Sequence, residues 1–249
     1  MKILLLNPNT TQEVTNLMHG VANSAASPGT EIIARTAPRG VPYIATRAEA
    51  QLGGALVLET LAEAEGIDAA IIAAFGDPGL HGARELFDFP VVGMAEAAML
   101  TACMLGGRFS IVTFARALEP WFEEIVETHG LGRRCASVRT LEGTFRSITD
   151  VQAEKEELIV ELANRVAHED KADVIILGGA PLSGLAAKIK HRVDVPLVDQ
   201  VAAAVKQAET LVTLSPRKAV TGSFRRPAAK PTQGLSDALA ARIEHRDRE

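Results

Sequence analysis

One pattern limits what this chain can become more than any other. A wholly apolar stretch, entered through an aspartate and left through small residues and a proline turn, occurs twice. The first is Asp68-Ala69-Ala70-Ile71-Ile72-Ala73-Ala74-Phe75-Gly76-Asp77-Pro78-Gly79, the second Asp173-Val174-Ile175-Ile176-Leu177-Gly178-Gly179-Ala180-Pro181-Leu182. Each is followed by a helix-like segment and a short proline-led strand, Phe89-Pro90-Val91 and Val195-Pro196-Leu197. A strand that is apolar at every position has to be covered on both faces, which parallel sheets between helices achieve. The fold class that follows is α/β, with two pseudo-symmetric lobes, each a parallel sheet flanked by helices, and the site in the cleft between them. The predicted boundaries are residues 1–106 for the N-terminal α/β lobe and 107–213 for the C-terminal α/β lobe. Residues 214–249 are read as a C-terminal arm and helix, packing back on the first lobe or on a neighbouring subunit.

Periodicity fills in the elements between these landmarks. Strands are predicted at residues 2–6, 31–36, 68–75, 91–92, 109–113, 137–140, 173–177 and 197–198. Helices are predicted at residues 11–25, 48–64, 95–105, 118–129, 151–169 and 200–211. The polar end, residues 239–249, is expected to fray.

Composition removes several function classes. The chain has 249 residues, enough for a core without disulfide or metal staples. With Lys plus Arg at 26 and Asp plus Glu at 31, the net charge is −5, which disfavours a nucleic-acid partner. No apolar run reaches the ~18 residues of a membrane span, and the opening run is too short for a signal peptide, so a cytoplasmic location is expected. The two cysteines, Cys103 and Cys135, cannot build a disulfide framework or a zinc knot. None of the six histidines pairs with another at metal-ligand spacing, so no metal is expected. The sequence also has no GxGxxG, Walker A, GxSxG or HExxH motif.

Candidate site residues lie where parallel strands end, since open α/β sheets bind ligands at their carboxyl edges. Asn7, Asn9 and Thr10 follow the first strand, where they can hold an anion or carbonyl oxygen or simply close a turn. Phe75, Gly76 and Asp77 follow the first apolar strand. Asp77 is read either as a site carboxylate or as a cap on the helix that follows. Gly178, Gly179 and Ala180 follow the second, where glycine lets the backbone approach a ligand. Thr113 adds a hydroxyl at the end of its strand. His81, just past the Gly79 turn, is read as a cleft residue or an exposed helix start, whereas His129, His168 and His245 read as surface residues. Glu96, a lone acid in an apolar helix, needs a cap, an ion-pair partner or a place in the cleft. The catalytic candidates are therefore Asp77, His81 and Glu96. The basic residues Arg217, Lys218, Arg225, Arg226 and Lys230 form either an anion clamp or a solvated arm.

Taken in order, several of these segments resemble the aspartate/glutamate/hydantoin racemase superfamily, and within it the hydantoin and allantoin racemases. They are the Asn7-Pro8-Asn9-Thr10-Thr11 opening, Phe75-Gly76-Asp77-Pro78-Gly79-Leu80, Val92-Gly93-Met94-Ala95-Glu96, Arg108-Phe109-Ser110-Ile111-Val112-Thr113 and Leu177-Gly178-Gly179-Ala180. The resemblance implies a cleft site, a small-molecule substrate, no cofactor and a homo-oligomer. It also implies two-base proton transfer by a pair of thiols, one at the strand end of each lobe. Those two positions correspond here to Ala74 and Gly179, neither of which is an acid or a base. The enzyme expected is thus a cofactor-independent isomerase with altered chemistry. The rival expectations are a non-catalytic small-molecule-binding protein on the same scaffold, or a lyase, decarboxylase or ring hydrolase.

Overall fold

The structure, a computed structural model, describes residues 1–141 and 150–248. The first lobe runs β1 (Lys2–Asn7), α1 (Gln12–Ala25), β2 (Glu31–Thr36), α2 (Arg47–Ala62), β3 (Ala69–Ile72), α3 (Leu80–Leu86) and β4 (Val91–Gly93). After α4 (Met94–Leu105), the second runs β5 (Phe109–Thr113), α5 (Glu119–Thr128), β6 (Cys135–Thr140), α6 (Val151–Glu169), β7 (Val174–Leu177), α7 (Leu185–Ile189) and β8 (Leu197–Asp199). Two helices follow, α8 (Gln200–Leu214) and α9 (Asp237–Glu244).

The two sheets have one topology. Their strand orders are β2-β1-β3-β4 and β6-β5-β7-β8, parallel throughout. The repeated aspartate explains part of this match. The Lys2 N–H donates to Asp68 Oδ2 at 2.7 Å, and the Arg108 N–H to Asp173 Oδ2 at 2.8 Å. Each aspartate thus ties the entry of its own strand to the start of the neighbouring one. The proline steps correspond too: Ala70 N donates to Pro90 O and Ile175 N to Pro196 O, both at 3.0 Å.

Strand alternation divides the core. Ile3, Leu5 and Ile71 face inward and join Ile111, Ile176 and Val201 in one continuous cluster spanning both lobes. Leu4, Leu6 and Ile72 face outward onto Val57 and Leu61 of α2. Each fully buried aliphatic side chain contributes about 1.5–3 kcal/mol, so this shared cluster binds the lobes into one folding unit.

Two helices exchange lobes. Helix α4 leaves β4 of the first sheet and packs against β7 and β8 of the second, while α8 leaves β8 and packs against β3 and β4. They also pack on each other.

The fraying expected of residues 239–249 does not hold for their first half. Residues 237–244 form α9, which packs on α2 and buries Leu239 and Ala240 instead of fraying. The reason is apolar: Leu239 completes the outer cluster over the first sheet. Arg242 adds a hydrogen bond to Leu86 O at 2.9 Å and an ion pair with Asp88 at 2.8 Å. Arg226, from the basic stretch, turns inward to Arg242 O and Asp247. Among the described residues, no helix is long and apolar enough to cross a membrane.

Candidate functional site

The turns that follow β1, β3 and β7 converge between the lobes around a narrow cavity of about 30 Å³, with Thr113 at the end of β5 next to Gly179. Ala74 and Gly179 both line it. Its other walls include Asn9, Tyr43 and Ala180, with Phe75, Trp121 and Phe122 supplying aromatic faces. A space of this size holds one or two waters, so a larger ligand requires its walls to move.

The opening turn is built around a buried amide. Asn7 Nδ2 donates to Asn9 Oδ1 at 3.0 Å and to Thr15 Oγ1 at 2.9 Å, while Asn7 Oδ1 accepts from Asn9 N at 3.2 Å. The Asn7 side chain therefore holds the turn. Asn9 Oδ1 also accepts from Thr11 N at 2.9 Å, which leaves Asn9 Nδ2 as the end able to donate to a ligand. Thr10 N donates to Val41 O at 3.0 Å and joins this turn to the loop carrying Tyr43.

Gly179 is held in an unusual conformation. Its φ of +116° disfavours any side chain, and a Cβ there would lie 2.8 Å from Phe114 Cε1 and 3.7 Å from Thr113 Oγ1. The fully buried Gln200 fastens it from behind: Gly179 N donates to Gln200 Oε1 at 2.9 Å, and Gln200 Nε2 donates to Gly179 O. Gly178 sits so close beneath the aromatic walls that a Cβ would lie 3.2 Å from both Phe75 and Phe122.

Gly76, with φ +138°, carries Trp121 against its backbone, so that an added Cβ would lie inside the indole ring's van der Waals shell. Gly76→Ala is therefore expected to expel the indole and to lower stability by about 2–3 kcal/mol. Trp121 is the single tryptophan. A red shift of its fluorescence together with a lower urea midpoint checks this, and an unshifted spectrum contradicts it.

Two hydroxyls near the cavity have no hydrogen-bond partner among the described residues, Tyr43 OH and Thr113 Oγ1. Burial, followed by the nearby Glu49 carboxylate, raises the Tyr43 pKa above its ordinary value of 10.0. The phenol is thus a hydrogen-bond donor and not a base at neutral pH.

The acid–base candidates Asp77, His81 and Glu96 gather elsewhere. None lines the cavity; Asp77 and His81 instead border a neighbouring pocket of ≈ 190 Å³ with His129. Asp77 accepts from the N–H groups of Ala95 and Glu96, both at 2.8 Å. It therefore caps α4, not the helix that directly follows it. Gly93, where α4 begins, has no side chain to do so, and a Cβ there would overlap Asp77. Glu96 pairs with Arg84 through both oxygens. His81 is exposed, its ring 5.8 Å from that of His129.

His129 corrects an expectation. It reads as a surface histidine, yet its side chain is only 6% exposed. It ends α5 and lies 3.5 Å from Asp77 Oδ2 on one side and 3.5 Å from Glu96 Oε1 on the other. Burial opposes its charge, but the two carboxylates outweigh that and raise its pKa from 6.5 to about 9. Burial likewise opposes ionisation of Glu96, but His129 and Arg84 bring it down to about 2. A cation at a helix C-terminus also meets the negative end of the helix dipole.

The thiols take no part in the cavity. Cys103 and Cys135 are free and half-buried, and burial pushes the Cys135 thiol up to about 11. Neither lines the cavity.

Sequence reasoning thus singled out the strand ends but missed Tyr43, Trp121, His129 and Gln200. Only Gln200 carried a usable local signal: a glutamine opening an otherwise apolar helical stretch, Gln200-Val201-Ala202-Ala203-Ala204.

Known proteins resemble this arrangement over most of its length. The sequence model of the family described as Asp/Glu/Hydantoin racemase matches residues 3–208. A hydantoin racemase from a Pseudomonas species is 36% identical, covering 94% of this chain and 95% of its own. An allantoin racemase from Klebsiella pneumoniae superposes with a TM-score of 0.90 at 34% identity, covering 96% of this chain and 98% of that one. An allantoin racemase from Pseudomonas fluorescens does so with a TM-score of 0.87 at 36% identity, covering 94% and 100%.

Proposed function

The chain belongs to the Asp/Glu/hydantoin racemase family, and from that premise we propose that it is a cofactor-independent isomerase of a small, hydantoin-like compound. The substrate bears a carbonyl or carboxylate and binds between Ala74 and Gly179. The setting this reading assigns is a cytoplasmic homo-oligomer.

One observation carries the proposal: the carboxyl ends of β3 and β7 enclose one cavity, with Ala74 on one wall and Gly179 on another. A C–H next to a carbonyl becomes acidic when charge developing on the oxygen is stabilised. Asn9 Nδ2 and the hydroxyl of Thr113 are the donors proposed for that oxygen. With alanine and glycine at the two strand ends, the proton is moved by a group elsewhere. Asp77, His81 and Glu96 are the titratable candidates, and since none lines the cavity, the one that acts reaches the C–H when the walls move to admit the substrate.

The test is solvent-deuterium exchange at the stereocentre of 5-substituted hydantoins and of allantoin, at high enzyme concentration, with folding verified by circular dichroism. Deuterium incorporation with loss of optical rotation is the expected result. Absence of both would sink racemisation of this substrate class.

A second reading has its own support. Tyr43, the titratable side chain among the cavity walls, is pushed further from neutrality. A space without a tuned acid or base suits a non-catalytic small-molecule-binding protein. It also suits a lyase, decarboxylase or ring hydrolase that relies on fixed donors. A ligand that raises the melting temperature without being turned over favours the binding protein.

A further inference from the structure

Tyr43 is the single tyrosine of the chain, and its surroundings fix it firmly. On one side of its loop, Thr10 N donates to Val41 O at 3.0 Å and Thr11 Oγ1 to Pro42 O at 2.6 Å. On the other, Ala45 N donates to Glu49 Oε2 at 2.7 Å, and Thr46 with Glu49 forms a capping box that opens α2. The ring packs against Phe114 of the second lobe, with centroids 6.2 Å apart, so the phenol spans the cleft. The same Phe114 abuts Gly179.

A fixed loop thus delivers a polar group to the cavity and leaves its hydroxyl without a partner among the described residues. A buried donor without an acceptor weakens the folded state. Folding alone therefore gives no reason for the hydroxyl, whereas an oxygen of a bound molecule supplies the missing acceptor. Thr113 Oγ1, also without a partner among the described residues, lies 3.7 Å from where a Cβ of Gly179 would stand and repeats the pattern from the second lobe.

We infer that the Tyr43 hydroxyl is the specificity-determining donor of this cavity, holding a carbonyl or carboxylate oxygen of the ligand, with Thr113 as the second donor. This rests on the functional reading above and adds to it which side chains select the ligand. The ligand class is a small planar molecule with oxygen acceptors on its edge and a flat face toward Phe75, Trp121 and Phe122. Tyr43 binds and orients; it stays protonated throughout and moves no proton.

The experiment is titration of the purified protein with allantoin and 5-methylhydantoin. Binding is followed by the fluorescence of Trp121, which lines the same cavity, and confirmed by calorimetry. Tyr43→Phe is expected to weaken binding at least tenfold, while the melting temperature of the free protein stays equal or rises. A purely structural tyrosine would show the reverse, with lower stability and unchanged affinity. Thr113→Val serves as the second variant and is expected to weaken binding by a smaller factor. If wild type and Tyr43→Phe bind with equal affinity, the inference is overturned and the functional reading stands. If the wild-type protein binds neither probe, the functional reading falls, and this inference with it.

Discussion

Replacing Gln200 with leucine is expected to lower the free energy of unfolding by about 3 kcal/mol, read from urea denaturation followed by circular dichroism. Gln200 is fully buried at the start of α8 and bonds both polar backbone atoms of Gly179. Leucine matches the glutamine in size and would fill the space, so cavity formation contributes little. What changes is that a buried N–H and a buried C=O lose their partners together, at about 1–3 kcal/mol each. The neighbouring Ser183 keeps its bond to Ala180 O at 2.7 Å, so the damage centres on Gly179. Because Gly179 lines the cavity, ligand binding is expected to weaken along with stability. A loss below about 1 kcal/mol would show that Gly179 finds other partners, and would contradict the role given to Gln200.

The second large effect concerns His129 and pH. Its folded-state pKa is raised from 6.5 to about 9, so the stability it contributes is fully present below pH 6.5 and is lost as pH rises through 9. Glu96 runs the other way: with its pKa lowered from 4.5 to about 2, its contribution is present above pH 4.5 and is lost as pH falls toward 2. Stability from this cluster is therefore greatest between pH 4.5 and 6.5. After allowing for solvent screening, the His129 share is about 1–2 kcal/mol. His129→Gln is expected to flatten the alkaline limb of the stability curve and to shrink the acid limb as well, since Glu96 then loses His129 and keeps Arg84 as its cationic partner. An alkaline limb unchanged in His129→Gln would show that another group titrates there. The consequence reaches the cleft, because His129 ends the helix that places Trp121 and Phe122 on the cavity. Arg47 of α2 fastens the same helix at Glu124. Loosening α5 should therefore make the cavity easier to open.

Much of the architecture is legible in the sequence. The Asp68 and Asp173 stretches announced two equivalent sheets because a fully apolar strand has few places to go. Their small-residue exits marked the strand ends that line the cavity. The exchange of α4 and α8 between the lobes was not legible in this way. An amphipathic pattern shows which face of a helix is apolar, not which sheet will cover it. The same holds for α9: the sequence predicts a C-terminal helix that packs back on the first lobe or on a neighbouring subunit, but not that Leu239 covers the outer face of the first sheet. Of the two readings of Asp77, site carboxylate or cap on the helix that follows, the cap names the wrong helix, since its partners lie 18 and 19 residues further on.

The sequence by itself determined the two-lobed α/β plan, the strand ends that carry the cleft, and the presence there of alanine and glycine at positions 74 and 179. These are properties of residue identity and local period, and they travel with the chain. The tertiary structure alone decided which polar groups meet. It left Tyr43 and Thr113 without partners among the described residues beside the cavity, set Gln200 behind Gly179, and drew His129 between two carboxylates. A hydrogen bond or ion pair is made within a few ångströms, between residues whose separation along the chain no periodicity records.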